Sequence, residues 1–424
     1  MLSLRPFFYL LVAIAPLLSA THTPKLDLNN EKELLNVTAQ AIKNLLKYYT
    51  PSNLGVFDQV ETPWWESCVI WWTLLEYAKW TGDYQFTTIA TDGLVNASWG
   101  TQHDFLGGNA TNATDKIQGR WNDDQLWAAQ AVTAGAELFG PQSVMGHSHQ
   151  SWISLVTKSI DEVAVQMDNK CGGGIYWYRD RLSPRGTYKA VITQLQFITE
   201  GARAYLLTKN ETLLTQAKEI LDWVLTSGVS NPKAGVLLDG VSVKNCSDFT
   251  EKLWSYTYGQ LLGSLAWMHK ATGDQKYLDL TTPFFEYGLE TFAGANTSGV
   301  ITEICETGHQ CNRDQRSFKS IYALNMAHLY RETNNQTQKD MIWQTFDTSL
   351  NAMVKRTCDL DWNCGGNWTR EDHKTRNVAG QHDTVGLLVS ALGIRANVST
   401  RASVKRGHSV ARRPYIHSTN GLSA

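Results

Sequence analysis

The chain has 424 residues, 42% of them hydrophobic and only 18% charged, with 38 Lys+Arg against 40 Asp+Glu and a net charge of −2. That apolar content excludes a disordered chain, and the balanced charge excludes the basic face of a nucleic-acid binder. A prior of about 150 residues per domain suggests two or three domains, and 16 Trp ask for more than core filling.

Residues 1–20 read as a signal peptide. Arg5 gives a positive start, Phe7 to Leu18 form an apolar run, and Leu18-Ser19-Ala20 offers a small-residue cleavage site. A membrane anchor fits less well, because Pro16 interrupts the run and a spanning helix needs about 20 apolar residues. No later segment looks able to span, and no hydrophobic C-terminal tail suggests a lipid anchor. Asn-x-Ser/Thr sequons begin at Asn36, Asn96, Asn109, Asn112, Asn210, Asn245, Asn296, Asn335, Asn367 and Asn397. Together these features point to a secreted glycoprotein, extracellular or in a cell wall, with each used sequon marking surface.

Helical periodicity follows. Leu35, Ala39, Ile42, Leu46 and Tyr49 recur every three or four residues. Helices are expected over 30–49, 65–81, 85–98, 122–138, 148–168, 189–208, 211–227, 252–271, 275–292, 315–332, 336–356 and 377–393. A turn such as Trp80-Thr81-Gly82-Asp83 recurs near positions 83, 140, 210, 274, 334 and 393, a period of about 60 residues, too long for two-helix solenoid units. Helices after each mark are amphipathic, whereas those before it, such as Gln260 to Trp267, are apolar all round and therefore buried on both faces. Six buried helices paired with six amphipathic ones describe an all-α fold, an (α/α)6 toroid of six helical hairpins forming a single domain over 21–394. Only Gly173 to Tyr178 and Gly235 to Leu238 look extended. The 395–424 tail, with six Lys/Arg and no acid, reads as disordered; Lys405-Arg406 within it reads as a solvated pair rather than a processing site.

The turns from inner to outer helices are expected to be short, and all six connections from outer to inner helices long, so the long loops share one rim, where sites are built. Trp64, Trp65, Trp99, Trp121, Trp177, Trp254, Trp362 and Trp368 fall there. So do Cys305/Cys311 and Cys358/Cys364, each six positions apart and read as local disulfides. Cys171 and Cys246 are a third candidate pair, left open, and Cys68 in its apolar run reads as a buried free thiol. No Cys-x-x-Cys or His-Glu-x-x-His pattern suggests a metal, and no cofactor is called for.

Asp123 and Asp124 open an inner helix within Arg120-Trp121-Asn122-Asp123-Asp124-Gln125. Helix capping explains this run locally, with Asn122 as N-cap, Gln125 completing a capping box and two acids at the positive helix end. The rim position, flanked by Trp121 and Trp127, favours a second reading. Carboxyl groups about 5–5.5 Å apart serve retaining glycosidases as nucleophile and acid/base. The helix end would keep one Asp ionised, whose charge would raise the pKa of the other. Flat indoles suit sugar faces. Glu66, Tyr188, Lys189, Asp314, Gln315 and Lys319 start inner helices, where polar groups either bind hydroxyls or cap the helix. No Gly-x-Ser-x-Gly elbow or phosphate loop is present.

Trp64-Trp65-Glu66, Asn122-Asp123-Asp124-Gln125, Cys171-Gly172-Gly173-Gly174-Ile175-Tyr176-Trp177, Cys305-Glu306 and Cys311-Asn312-Arg313-Asp314-Gln315 with Phe318-Lys319, in this order, resemble glycoside hydrolase family 76. The similarity runs from about 50 to 393 and is closest to fungal secreted or cell-wall α-1,6-mannanases. It implies the (α/α)6 fold and a retaining endo-α-1,6-mannanase without metal, Asp123 as nucleophile and Asp124 as acid/base. Ser67-Cys68, Tyr188-Lys189-Ala190 and Tyr256-Thr257-Tyr258-Gly259 depart from the family pattern at cleft-facing helix starts, where subsites are set. The substrate-binding set is expected to comprise Trp64, Trp65, Glu66, Trp121, Asn122, Trp177, Tyr188, Lys189, Trp254, Tyr256, Asp314, Gln315 and Lys319. The expected partner is α-mannan or a mannooligosaccharide, bound by a monomer, with no nucleic acid and no membrane span. The alternatives are a transglycosylase that cross-links wall mannan glycans and a non-catalytic mannan-binding protein.

Overall fold

A computed structural model describes residues 24–395 except 59–61, 101–102, 107–120, 309–310 and 373–374. In chain order the helices are α1 (Glu31–Leu46), α2 (Trp64–Thr81), α3 (Thr87–Ala97), α4 (Asn122–Phe139), α5 (Trp152–Ala164) and α6 (Val191–Thr208). They continue with α7 (Glu211–Thr226), α8 (Ser255–Thr272), α9 (Lys276–Ala293), the one-turn α10 (Ile304–Thr307), α11 (Phe318–Glu332), α12 (Gln336–Thr357) and α13 (Val378–Arg395). Helix α2 packs on α4, α4 on α6, α6 on α8, α8 on α11, α11 on α13, and α13 back on α2. That closes an inner ring. Helices α1, α3, α5, α7, α9 and α12 pack outside it, against α13, α2, α4, α6, α8 and α11. The repeat of about 60 residues is thus one hairpin of a single toroid, and the expectation of two or three domains gives way to one closed ring.

Burial explains the alternation. Helix α7 buries one stripe, including Leu213, Leu214, Ala217, Ile220, Leu221 and Val224. Helix α8 buries every residue from Thr257 to Met268. Polar groups inside such a helix need partners: Gln260 Nε2 donates to Thr199 Oγ1 at 2.8 Å and Ser264 Oγ to Leu195 O at 2.8 Å. The repeated turn marks are helix ends. Gly82 and Gly273 follow α2 and α8 at φ 73° and 72°, their N–H groups closing on Ala78 O and His269 O; left-handed backbone at this position favours glycine.

Short strands brace the loop-bearing rim. They are β1 (Tyr188–Ala190), β2 (Ser230–Asn231), β3 (Val236–Leu237), β4 (Gly240–Ser242) and β5 (Phe249–Thr250). Antiparallel β1, β4 and β5 form one sheet, and β2 and β3 a hairpin. The extended reading of 235–238 becomes β3, whereas 173–178 makes only isolated bridges, Met167 to Ile175 and Trp121 to Tyr178. Pairing with β4 holds Lys189 and Ala190 extended, so α6 starts later than the periodicity implied. Helix α5 is also shorter, because 141–151 folds as a turn closed by a Val144–Ser151 bridge and Ser151 caps the helix. That inner-to-outer connection is therefore not short. Helix α11 starts three residues later than expected, after a 3-10 turn at Asp314–Ser317.

Disulfides join Cys305 to Cys311, Cys358 to Cys364, and Cys171 to Cys246, and Cys68 is free and buried. Asn36, Asn210, Asn245, Asn296 and Asn335 are exposed. Asn367 is only 6% exposed and its Oδ1 accepts from Thr369, so the surface position expected of it fails. Asn96 is partly buried. Asn109, Asn112, Asn397 and residues 1–20 lie outside the described residues. Arg395, expected to begin the tail, instead ends α13 and stacks 3.8 Å over Trp343; the rest of the tail is outside the described residues. Among the described residues no helix is long and apolar enough to cross a membrane.

Candidate active site

Because inner and outer helices alternate in direction, the six inner N-termini share one rim. At the start of α4 the capping explanation of Asn122 and Gln125 does not hold. Trp121 occupies the N-cap position and its side chain makes no capping bond. Asn122 Nδ2 instead donates to Tyr176 O at 2.7 Å, and its Oδ1 accepts from Arg179 Nη1 at 2.9 Å. Gln125 Nε2 donates to Glu162 Oε2. Both side chains are spent on tying the helix start to the 176–179 segment and to α5.

Asp123 is thereby fixed at the rim. Its Oδ2 accepts from Trp177 Nε1 at 2.9 Å, and its buried Oδ1 has no hydrogen-bond partner. Burial pushes its carboxyl up to about 7, and the Asp239 charge adds to that, while the Trp177 indole and the N–H groups of Asp123 and Asp124 pull it down. The simple expectation that the helix end keeps a carboxylate fully ionised therefore does not describe Asp123, because desolvation outweighs the helix dipole. Asp124 follows in the same turn; burial and the Asp124 charge both push the Cys68 thiol up.

Aromatic rings from four inner helices form a wall. Trp65 meets Trp127 at 5.8 Å and Phe318 at 6.3 Å between centroids, and Tyr256 stacks on Phe318 at 4.0 Å. Trp254 stands edge-on to Phe318 at 5.8 Å. Trp177 lies 6.0 Å from Trp121 and 6.1 Å from Tyr188. Trp64 lies 6.1 Å from Trp99, its Nε1 donating to Ala97 O.

Sequence reasoning missed Asp239, in the connection between β3 and β4. Its Oδ2 accepts from Tyr188 OH at 2.6 Å and its Oδ1 from Trp254 Nε1 at 2.9 Å. Burial raises its pKa. Its backbone O accepts from Val191 N at 2.8 Å, so β-pairing carries it to the site. The one available signal was an acid ending the extended stretch 235–238 on a rim loop.

Several expected binding groups are engaged elsewhere. Lys189 is fully buried, its Nζ donating to Asp168 Oδ1, Lys170 O and Gly173 O. Lys319 Nζ pairs with Glu306 at 2.6 Å and donates to Gly366 O. Gln315 exchanges bonds with Asn312, Oε1 accepting from Asn312 N and its own N donating to Asn312 Oδ1, both at 3.0 Å. Glu66 is 0% exposed, without a hydrogen-bond partner on either oxygen, and burial pushes it up to about 8. Asp314 stays at the lip and accepts from Trp65 Nε1 at 3.4 Å. Among the described residues no group of His, Cys, Asp or Glu is arranged to hold a metal ion. A partly apolar, aromatic-walled rim with buried carboxylates at its floor suits acid–base and nucleophilic work on a sugar.

The family profile described as glycosyl hydrolase family 76 matches residues 33–404. Curated relatives include the mannan endo-1,6-alpha-mannosidases DCW1 and DFG5 of Saccharomyces cerevisiae. Each is 27% identical; the alignments cover 82% and 81% of this chain and 77% and 75% of those proteins. The solved structure of Dfg5 from Chaetomium thermophilum in complex with glucosamine superposes with a TM-score of 0.76 at 23% identity, covering 88% of this chain and 93% of that one. An inactive α-1,6-mannanase variant of Salegentibacter sp. HEL1_6, with two successive Asp replaced by Asn, is solved with α-1,6-mannotriose. It superposes at 0.69 with 16% identity, covering 85% and 99%.

Proposed function

The chain belongs to glycosyl hydrolase family 76 and is a glycoside hydrolase; from that premise we propose that it is a retaining endo-α-1,6-mannanase acting through Asp123 and Asp124. The observation that carries this reading is the placement of Asp123, half-buried at the start of α4 on the loop-bearing rim with Oδ2 held by Trp177. In the first step the Asp123 carboxylate attacks C1 of the mannosyl unit, forming an ester, while Asp124 gives its proton to the departing O6. Water then attacks C1 with Asp124 as base, and Asp123 leaves as carboxylate. Neutral Asp123 cannot attack, so the raised pKa sets a lower pH limit.

Trp65, Trp177, Trp254 and Tyr256 supply faces for sugar rings, and Asp239 holds Tyr188 and Trp254 in place. The paired Asp replacements in the inactive bacterial α-1,6-mannanase support the assignment of two successive acids. The leader-like start and the exposed sequons support a secreted, N-glycosylated protein acting outside the cell or in its wall. Product analysis on α-1,6-mannooligosaccharides tests the reading. It expects shorter oligosaccharides from the native chain and none from Asp123→Asn or Asp124→Asn; activity retained in both variants would overturn it.

A further inference from the structure

Arg179 occupies an electrostatically poor place. Its guanidinium lies beside the first turn of α4, the positive end of the helix dipole, where cations are disfavoured. It is also largely desolvated, which lowers its pKa, and its buried Nε lacks a hydrogen-bond partner. Against these costs Nη1 donates to Asn122 Oδ1 at 2.9 Å, to Gln125 Oε1 at 3.5 Å and to Glu162 O at 2.9 Å.

The choice of acceptors matters. Asn122 and Gln125 are three residues apart and share a helix face, and they bracket Asp123 and Asp124. A single nitrogen shared between these acceptors and Glu162 O limits how far the first turn can rotate about its own axis relative to α5. The same short segment grips the site twice more: Trp177 O accepts from Asn122 N at 2.8 Å, and Trp177 Nε1 holds Asp123 Oδ2.

We propose that Arg179 is a positioning residue for the Asp123–Asp124 pair, its Nη1 tying the first turn of α4 to α5 and its permanent positive charge lying next to the turn that carries the two carboxyl groups. It touches neither the reacting atoms nor the aromatic wall in the contacts described above. Among the described residues the other charged groups around this turn are Glu162 from α5, Asp104 and Lys158 packed behind it, Arg185 over the Trp121 ring, and Asp239 from the β3–β4 connection. Removing Arg179 takes a cation away from the turn that carries the pair and makes its ionisation harder.

The inference rests on the catalytic reading of the pair, whose own failure is read from Asp123→Asn and Asp124→Asn. Arg179→Gln and Arg179→Lys are compared with the native chain on one α-1,6-mannooligosaccharide, with thermal melts alongside. Misalignment of about 1 Å costs on the order of 10²-fold, so Arg179→Gln is expected to lose roughly 10- to 100-fold in kcat with KM changed less than about threefold. Its acidic limb of kcat/KM should move up by about half a pH unit or more, through the lost charge. Arg179→Lys keeps the charge but its shorter side chain cannot set a donor where Nη1 stands, so its limb stays near the native position while kcat remains low. Titration of the Asp123 carboxyl by 13C NMR reads the same charge effect without turnover. The proposal is overturned by unchanged kcat in Arg179→Gln, by a rise in KM alone, by losses that match the unfolded fraction, or by Lys restoring kcat in full.

Discussion

The two ends of the inner ring bury carboxylates in opposite ways. At the far end, in the C-terminal halves of the inner helices, Arg203 is 0% exposed and answers three acids. Its Nε meets Glu137 Oε1 at 2.9 Å, Nη1 meets Glu200 Oε1 at 3.2 Å and Nη2 lies 3.6 Å from Glu76 Oε1. Lys79 adds bonds to Glu76 and Glu137. Arg203 and Lys79 hold the partly buried Glu137 down at about 2, and Lys79, His328 and Arg203 hold the fully buried Glu76 well below its ordinary range. Glu200, which shares Arg203 with Glu137, is pushed by burial up to about 7. At the rim the balance reverses. Burial pushes Asp123 up to about 7 and Glu66 to about 8, and it outweighs the Lys319 charge 3.6 Å from Asp383, whose pKa still lies well above its ordinary value. One end ties the ring together with paired charge. The other leaves its carboxyl groups mainly to desolvation, so that they titrate near neutral pH.

Breaking each end in turn separates their roles. The largest expected effect is chemical: Asp123→Asn or Asp124→Asn should lower kcat on α-1,6-mannooligosaccharides by on the order of 10³-fold or more, measured by reducing-end release. Next is Arg203→Met at the far end. It strands buried carboxylates and should destabilise the fold by about 3–5 kcal/mol, read by urea melts, while kcat per folded molecule stays close to native. A comparable kcat loss would contradict the separation of the two ends.

Smaller effects sharpen the picture at the rim. A folded pKa of about 7 for Asp123 lies above the unfolded value, so this group's contribution to stability is largest at low pH and is lost as pH rises through 7. Asp123→Asn should therefore raise the melting temperature above pH 7 and change it little near pH 4. Glu66→Gln should behave likewise, with its gain appearing as pH rises through about 8. The smallest shift is expected from Trp177→Phe, which removes the Trp177 Nε1 donor to Asp123 Oδ2. Its acidic kcat/KM limb should move upward by about one pH unit, the size of one bond to a charged group.

The same contrast shows what could be read from the chain. The six hairpins were legible because uniformly apolar helices such as 260–267 alternate with striped ones such as 211–227, and because Gly82 and Gly273 end helices in left-handed backbone. The two local disulfides and the free Cys68 followed from spacing and surroundings, whereas the sequence leaves the Cys171–Cys246 pairing, over 75 residues, open. The Asp123–Asp124 run was visible as well, but its local rationale was not. Asn122 and Gln125 look like caps, and only tertiary contacts with Tyr176, Arg179 and Glu162 spend them otherwise. Lys189 and Lys319 look like ligands for hydroxyls because a sequence does not reveal that Asp168 and Glu306 lie beneath them. Asp239 was invisible for the complementary reason, since β-pairing over 50 residues brings it to Tyr188.

The central claim is that Asp123 forms the bond to the sugar. A slow-turnover 2-deoxy-2-fluoro α-mannosyl donor incubated with the native chain, followed by peptide mass spectrometry, tests it most directly. The account predicts one mannosyl adduct on the peptide carrying Asp123, absent in Asp123→Asn. An adduct on Asp124, Asp239 or Glu66 instead, or a first-formed product of inverted anomeric configuration, would contradict it.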